Sequence, residues 1–326
     1  MDLKSKIYIA GHKGLVGSAF HRVLIKKGYK NVIIKSHDDL DLMNQVDVHK
    51  YFDKERPEYV FFAAAKVGGI YANSVFPADF IHQNIQIQSN IIDASFRNKV
   101  KRMIFLGSSC IYPRNCNQPI KEEYLLTGPL EKTNAAYSLA KIAGIETCKS
   151  FNKQYFTKFL SLMPSNLYGP GDNYDLNNCH VLPALVRKFH EAKINNFSNV
   201  EVWGTGLPKR EFLFVEDLAD AAFHLYNIDE DKLNSILFDD IAPGLLNVGY
   251  GKDLTIKELA KIISNIIGYK GNVTYNTSMP DGTPQKLLDI SRIKSLGWEP
   301  KTKLIEGLKL TYEAYIKESA SLNYNK

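Results

Sequence analysis

The sequence predicts an α/β protein, with a Rossmann-type doubly wound parallel sheet and a smaller mixed α/β substrate-binding lobe. Short apolar, β-branched runs alternate with longer amphipathic runs through the first half of the chain, as in sheets covered by helices on both faces. A glycine-rich turn follows the first run. After Tyr168 the alternation gives way to the loop sequence Gly169-Pro170-Gly171 and a looser mixture of elements.

Hydrophobic periodicity places the elements in order. Strands are predicted at residues 6–10, 31–35, 59–64, 102–106 and 158–163, with helices at 18–27, 46–54, 79–98, 135–152, 181–192, 255–267 and 304–317. We therefore predict a Rossmann domain at residues 1–168 and a second lobe at 169–326, with a segment near 211–249 that returns to the first domain. Ligands of such sheets bind at the carboxyl ends of the strands, so the second lobe is expected to cap that edge.

Composition and charge argue against several classes of protein. The 326 residues are 44% hydrophobic and 23% charged, as is usual for globular proteins. No apolar run approaches the roughly 20 residues of a membrane span, and no secretory signal is evident, so we expect a cytoplasmic protein without a membrane role. The net charge of +6 comes from scattered basic residues, which disfavours nucleic-acid binding. The four cysteines form no C-x-x-C pair, so no metal site is expected.

A glycine-rich segment directly follows the first predicted strand. Its three glycines are spaced so that the backbone can turn tightly and approach a pyrophosphate, while the next helix offers free N–H groups. A purely structural turn is the alternative, and the position between a strand and a helix argues against it. The segment therefore predicts dinucleotide binding by Gly11, Lys13, Gly14, Leu15, Val16 and Gly17.

The end of the second predicted strand indicates which dinucleotide binds. NAD-specific sites usually place an acid there to hold the ribose 2′-hydroxyl, whereas this strand ends in Lys35-Ser36-His37. Lys13, Lys35 and His37 suit a 2′-phosphate, so NADP(H) is the predicted cofactor. The alternative is that Lys35 and His37 are solvated loop residues. Asp41 is expected near the adenine edge or the solvent.

Three residues predict carbonyl reduction. Tyr137 and Lys141 are four positions apart on a predicted helix, which places them on one face, and Ser108 follows a predicted strand. Lys141 would lower the pKa of Tyr137, and Tyr137 would protonate a carbonyl oxygen while the cofactor delivers hydride. Ser108 would hydrogen-bond the same oxygen. A surface Tyr–Lys pair is the alternative, and the three residues together argue against it.

Seven segments resemble the GDP-L-fucose synthase family of extended short-chain dehydrogenases/reductases, and together they span nearly the whole chain. They are Ala63-Ala64-Ala65-Lys66-Val67-Gly68-Gly69-Ile70, Gly107-Ser108-Ser109-Cys110-Ile111-Tyr112-Pro113, Tyr137-Ser138-Leu139-Ala140-Lys141-Ile142-Ala143-Gly144, Asn166-Leu167-Tyr168-Gly169-Pro170, Trp203-Gly204-Thr205-Gly206, Arg210-Glu211-Phe212 and Pro280-Asp281-Gly282-Thr283-Pro284-Gln285-Lys286. The Tyr/Lys spacing is common to all short-chain dehydrogenases, and the Ser-Ser-Cys-Ile-Tyr-Pro and Val-Gly-Gly-Ile runs are more specific.

The resemblance implies conversion of GDP-4-keto-6-deoxy-D-mannose to GDP-L-fucose, by epimerisation at C3 and C5 and reduction at C4 with NADPH. The family's epimerisation pair falls on Cys110 and His180. These residue types fit the chemistry, because the C3 and C5 protons flank a ketone, a thiolate can remove them and an imidazole can reprotonate the other face. Taken alone, Cys110 is as easily a small buried hydrophobe and His180 a capping or core histidine.

The resemblance also implies that residues 169–326 bind the GDP-sugar. Substrate contacts are expected at Ser109, Asn166, Arg187, Trp203, Arg210 and Lys286, and further cofactor contacts at Ala64, Lys141, Pro164, Asn166, Leu167 and His180. The arginines suit phosphates, and Trp203 is either near the base or in the core. Lys13 and His37 stand where relatives often carry arginine-like groups, which weakens the expected preference for NADP(H).

Several rival interpretations stay open. A C4 reductase, with or without epimerase activity, on another GDP-4-keto sugar such as a GDP-4-keto-6-deoxy-heptose would use the same machinery. A 4,6-dehydratase would carry Thr-Asp-Glu in place of Ser108-Ser109-Cys110, and a 4-epimerase needs no Cys/His pair. A non-catalytic NADP-sensing protein would lack the tyrosine or the lysine. By analogy with the fold, a homodimer is predicted through the helices at 79–98 and 135–152, with an apolar stripe of Ile85, Ile91, Ile92, Ile142 and Ile145, unless those faces pack on the sheet.

Overall fold

The computed structural model describes residues 1–176, 178–279 and 281–323. Pro280, which begins one of the motif segments, lies outside this range. The first part of the chain forms β1 (Ile7–Ala10), α1 (Leu15–Lys26), β2 (Val32–Ile34), α2 (Gln45–Glu55), β3 (Tyr59–Phe62), α3 (Ile70–Val75), α4 (Pro77–Arg97), β4 (Arg102–Leu106), α5 (Ala135–Tyr155), β5 (Phe159–Pro164) and β6 (Asn166–Tyr168). Three 3₁₀ turns lie between β4 and α5, at Ser109–Ile111, Glu122–Tyr124 and Lys132–Asn134.

The second part alternates more loosely, as the sequence predicts. It forms α6 (Val181–Ile194), β7 (Asn199–Trp203), β8 (Lys209–Phe214), α7 (Val215–Asn227), α8 (Glu230–Leu237), β9 (Leu245–Val248), β10 (Asp253–Thr255), α9 (Ile256–Ile267), β11 (Asn272–Asn276), β12 (Gln285–Lys286), α10 (Ser291–Ser295) and α11 (Leu304–Asn323).

Six parallel strands form the main sheet, in the order β2-β1-β3-β4-β5-β9. Helices α1 and α7 pack together, while α4 packs between α2 and α5. All of these strands except the edge strand β2 are buried almost throughout, which explains their continuous apolar sequences. The doubly wound α/β prediction is confirmed. The last strand, β9, comes from the second half of the chain and pairs with β5.

A smaller mixed sheet is built around β8. This strand pairs in parallel with β6 and β12 and antiparallel with β10, while β7 and β11 form a separate parallel pair. Helices α6, α9 and α11 pack nearby and contribute to a second hydrophobic core. Because β8 joins both β6 and β12, it brings residues from three distant parts of the chain to one edge.

The apolar residues predicted to form a dimer stripe mostly lie inside the subunit. Ile91, Ile92, Ile142 and Ile145 are buried in the first hydrophobic core, so that prediction is wrong for these four, and their helix faces pack on the sheet instead. Ile85 is 40% exposed. Among the helices that the structure describes, none combines the length and apolarity needed to cross a membrane.

Candidate active site

The glycine loop joins β1 to α1. Gly11 adopts φ +85°, and a Cβ there would lie 2.7 Å from the backbone nitrogen of Ala64, so the loop lies directly against the end of β3. Helix α1 begins after Gly14 with no side-chain cap and no acid in its first turn. The N–H groups of Leu15, Val16 and Gly17 therefore stay free for an anion, and the loop fits a dinucleotide diphosphate.

Gly17 offers a direct test of this close packing. A Cβ at Gly17 would lie 2.2 Å from the Gly11 carbonyl oxygen, whereas a Cβ at Gly14 would lie at an ordinary 3.5 Å. We expect Gly17→Ala to lower the melting temperature of the cofactor-free protein by roughly 2–10 °C, because overpacking costs about 1–3 kcal/mol. Calorimetry measures the change, with Gly14→Ala as the matched control. Equal melting temperatures for the two variants would contradict the packing described.

Basic residues surround the end of β2, where a 2′-phosphate is predicted. Asp39 lies among them and accepts hydrogen bonds from Ser36, from Oγ at 2.7 Å and from the backbone N–H at 3.3 Å. These bonds, and then the charges of Lys35 and Lys13, lower the pKa of Asp39. The two lysines therefore lie close to one carboxylate. The His37 side chain is 80% exposed, with Nδ1 4.0 Å from Asp41 Oδ1.

The Val-Gly-Gly-Ile segment holds the loop that precedes His180. The Gly69 N–H donates to the Asn178 carbonyl at 3.1 Å, and a Cβ on Gly69 would lie 3.1 Å from the Cys179 carbonyl oxygen. Asn73 Nδ2 donates to the carbonyls of Gly68 and Gly69. A side chain at Gly69 would therefore require the Cys179 carbonyl to shift by a few tenths of an ångström.

Ser108, Tyr137 and Lys141 meet at the carboxyl end of β4. Ser108 follows the strand and lies within hydrogen-bond reach of the Tyr137 hydroxyl. Lys141 Nζ donates to the Leu106 carbonyl at 2.8 Å and lies 5.9 Å from the centre of the Tyr137 ring. Ser108 and Tyr137 are half-buried, so a carbonyl oxygen can reach both hydroxyls.

The pKa values of this group depart from the sequence prediction. Burial raises the pKa of Tyr137, the neighbouring Cys110 raises it further, and the hydrogen bond from Ser108 offsets only part of this. Burial also lowers the pKa of Lys141, to about 7. The pKa of Tyr137 is therefore raised, whereas the sequence analysis predicted that Lys141 would lower it, and Lys141 is not among the groups that shift it. Desolvation dominates, and the amino group of Lys141 is itself buried and bound to Leu106.

Cys110 lies beside this group and contacts a cation. Lys286 Nζ donates to Cys110 Sγ at 3.4 Å, and the Ser138 hydroxyl donates to the Cys110 carbonyl at 2.9 Å. Burial by itself would raise the pKa of the Cys110 thiol, but Lys286, a hydrogen bond with Ser108 and the charge of Arg210 together lower it below its ordinary value. The Cys110 thiol therefore lies among cationic side chains and is not part of the hydrophobic core.

His180 lies at the first residue before α6 but does not cap that helix with its side chain. The residue is accessible to solvent, so neither structural alternative for this histidine holds. Protein atoms nevertheless surround the imidazole, and this desolvation, together with the charge of Lys286, lowers the pKa of His180. Lys286 thus acts electrostatically on both members of the predicted epimerisation pair.

The other predicted substrate residues differ in their exposure and in the protein groups that their side chains already contact. Arg210 donates to the carbonyls of Lys209 and Asp281, and Trp203 is 54% exposed, so the core alternative for Trp203 is wrong. Arg187 is already paired with a carboxylate, since its Nε donates to Glu191 at 2.7 Å. Asn166 Nδ2 donates to the Glu211 carbonyl at 3.1 Å.

The remaining predicted contacts lie near the carboxyl edge of the main sheet. Pro164 ends β5 and is buried, Leu167 in β6 packs on the first core, and Ser109 is buried in the 3₁₀ turn. Ser109 lines a small cavity together with Cys110 and Lys286. Its walls also include Thr283, which belongs to a motif segment, and Arg114, Gln118 and Glu131, which no sequence pattern indicated.

Comparison with known proteins identifies the family to which the chain belongs. A model described as the NAD dependent epimerase/dehydratase family matches residues 7–237, and the chain belongs to this family. GDP-L-fucose synthase 1 of Arabidopsis thaliana is 50% identical over 316 residues, which cover 97% of this chain and 94% of the relative. GDP-L-fucose synthase of Escherichia coli K12 is 48% identical over 315 residues, which cover 96% and 97% of the two chains.

A solved structure is similar throughout. It is MlghC, a GDP-mannoheptose C4 reductase from Campylobacter jejuni with NADP bound, which aligns with a TM-score of 0.88 at 44% identity and covers 97% of this chain and 99% of its own. The predicted resemblance to the GDP-L-fucose synthases is confirmed, and the chain is an enzyme of the extended short-chain dehydrogenase/reductase type.

Proposed function

We propose that this enzyme is an NADPH-dependent 3,5-epimerase/4-reductase that converts GDP-4-keto-6-deoxy-D-mannose to GDP-L-fucose. The observation that carries the proposal is the position of Cys110, whose thiol contacts Lys286 and lies beside the Ser108–Tyr137 pair. The thiol that moves protons at carbon and the Ser108–Tyr137 pair that serves carbonyl reduction thus act on the same bound sugar. Relatives named GDP-L-fucose synthase, about half identical over almost the whole chain, support this assignment.

Epimerisation uses the residues around Cys110. The thiolate removes the proton from C3 or C5, and the electron pair moves onto the C4 oxygen, which Ser108 and Tyr137 stabilise by hydrogen bonds. His180 returns a proton to the opposite face. Desolvation, and then the charge of Lys286, lowers the pKa of the imidazole. The negative charges of the diphosphate and the enolate raise it again, which favours the protonated form when substrate is bound.

Reduction follows at the same carbonyl. NADPH, when bound, supplies hydride to C4. Tyr137 gives its hydroxyl proton to the C4 oxygen, and its raised pKa keeps it protonated at neutral pH. Lys141 Nζ lies 5.9 Å from the centre of the Tyr137 ring. The pKa of Lys141, about 7, suits a group that exchanges protons near neutrality. The Ser108 hydroxyl holds the oxygen through both steps.

The basic residues at the end of β2 favour NADPH over NADH in this proposal. We expect the double variant Lys35→Ala, His37→Ala to raise the KM for NADPH by about 10–100-fold, because charge-assisted hydrogen bonds are worth about 1.5–3 kcal/mol. The KM for NADH should change little. Steady-state kinetics with both cofactors measure this. Lys30→Ala, at an exposed lysine just before β2, is the control. An equal rise for both cofactors would contradict the assignment.

A second candidate is a C4 reductase on a GDP-4-keto-6-deoxy-heptose. It is favoured by a cavity of about 540 Å³ that shares Pro113 and Arg114 with the small cavity at Cys110, and by the similarity to MlghC. A longer sugar tail would extend into this space. The remaining walls are Asn115, Cys116, Asn117, Tyr124, Thr127, Gly128, Pro129, Leu130 and Lys132.

Kinetics separate the two candidates. We would compare kcat/KM for GDP-4-keto-6-deoxy-mannose with that for the corresponding heptose. The proposed function requires the hexose to be preferred, and a change of one carbon unit is commonly worth about 1–3 kcal/mol, or roughly 10–200-fold. Preference for the heptose by such a factor would replace the first proposal with the second.

We also propose that the enzyme is a cytoplasmic homodimer. The four free thiols suit a reducing compartment. Helices α4 and α5 remain the proposed interface by analogy with the fold. Because the other four isoleucines are buried, the apolar contact in this proposal comes from the exposed side chains of Ile85 and Leu139.

A further inference from the structure

The side-chain ammonium group of Lys286 is directed at the sulfur atom of Cys110. Its Nζ lies 3.4 Å from Cys110 Sγ, and no ion pair within the described parts of the chain (1–176, 178–279, 281–323) joins Lys286 to a carboxylate. Arg210 is its direct neighbour, since Lys286 and Arg210 are register partners on β12 and β8. Partners in adjacent strands direct their side chains to the same face, so both cations face Cys110.

The backbone around Lys286 is fixed from two sides. The Leu287 N–H donates to Gln118 Oε1 at 2.8 Å, and the Ile120 N–H donates to the Leu287 carbonyl at 2.7 Å. On the other side, the buried carboxylate of Glu211 accepts the Leu288 N–H at 3.0 Å. A two-residue strand held on both edges presents its lysine at a defined place, so the contact with sulfur is built into the fold.

The groups around Cys110 favour a negative charge on its sulfur. Lys286 and Arg210 are cationic, the Ser108 hydroxyl is within hydrogen-bond reach, and Tyr137 stays neutral because burial raises its pKa. Burial, and then the charge of Lys286, lowers the pKa of His180, which favours the uncharged imidazole. This set of side chains therefore favours the thiolate form of Cys110.

We propose that Lys286 is a positioning residue that keeps Cys110 in the thiolate form and so sets its basicity for removing the sugar protons. During the step, a bond forms between Sγ and the proton as the C–H bond breaks, the electron pair enters the enolate, and Lys286 keeps its charge throughout. The contact itself does not depend on the substrate. Only the identity of the substrate that gives up its C–H proton rests on the proposed function.

This role differs measurably from binding a diphosphate. A lysine that only binds the diphosphate changes the KM for the GDP-sugar and leaves the substrate-free thiol unaffected. A lysine that stabilises the thiolate changes the reactivity of Cys110 with no substrate present, because alkylating agents react with the thiolate and not with the thiol.

The test is the pH profile of Cys110 alkylation by iodoacetamide in the full-length, substrate-free enzyme, with each cysteine followed by mass spectrometry of its peptide. For Lys286→Met we expect the midpoint of the Cys110 profile to rise by at least about one pH unit, and the rate at neutral pH to fall about tenfold. Lys286→Arg retains the charge and should keep the midpoint near that of the wild type. Cys179 serves as the internal control.

Lys209→Met is the matched control variant. Lys209 is an exposed lysine on β8 whose register partner is Gln285, so it lies on the opposite face from Lys286, and its loss should leave the Cys110 midpoint unchanged. A Cys110 midpoint in Lys286→Met equal to that of the wild type would overturn the proposal. If the midpoint shifts but the wild type makes no GDP-L-fucose, the thiolate role stands and the proposed function fails.

Discussion

Tyr137→Phe is expected to lower the turnover of C4 reduction by about 10²–10⁴-fold, the usual contribution of a positioned general acid. The variant lacks only the hydroxyl that lies beside Ser108, so the C4 oxygen loses its proton donor and one of its two hydrogen bonds. The ring still packs edge-on against Phe80, so the fold should be unaffected. NADPH oxidation with the GDP-4-keto sugar measures turnover, and fluorescence titration measures cofactor binding.

The matched control is Tyr155→Phe, at a tyrosine 47% exposed near the end of the same helix. It should retain both turnover and cofactor binding. Wild-type turnover in Tyr137→Phe would rule out the proton-donor role. Loss of NADPH binding in that variant would instead show that the hydroxyl mainly holds the cofactor.

Cys110→Ala is expected to separate epimerisation from reduction. Without the thiolate, exchange of the C3 and C5 protons should fall by about 10²–10⁴-fold, because the carbon acid has lost its base. Ser108 and Tyr137 remain in place, so NADPH should still reduce C4 of the unepimerised sugar. NMR of the product and of the recovered substrate in heavy water measures both processes.

Cys116→Ala is the control for this variant, because Cys116 is a half-buried thiol whose pKa is raised by burial. This variant should show wild-type rates of C3 and C5 proton exchange and of C4 reduction. Undiminished exchange in Cys110→Ala would assign the base to another group, and His180 would then be the first to examine.

The local parts of the fold and site were predictable from the sequence. The strands of the main sheet up to β5 and their helices follow from apolar periodicity, and the glycine loop follows from its position after β1. The meeting of Tyr137 and Lys141 follows from helical spacing, and that of Ser108 from the end of β4. Each of these features depends on neighbours close in the sequence.

What could not be predicted depends on packing between distant segments. Lys286 and Cys110 are 176 positions apart, and β12 has only two residues, so no local pattern indicates that they touch. The raised pKa of Tyr137 follows from burial, which a spacing rule does not report. The isoleucines of α4 and α5 show a similar limit, because an apolar helix face can pack equally well on its own sheet or on a second subunit.

The central claim is that one site performs both epimerisations and the reduction. The most direct test is to incubate the enzyme with GDP-4-keto-6-deoxy-mannose and NADPH in heavy water and to record the NMR spectrum of the product. Our account predicts GDP-L-fucose with deuterium at both C3 and C5. A C4-reduced product without deuterium at those carbons would contradict it and would leave a plain C4 reductase in its place.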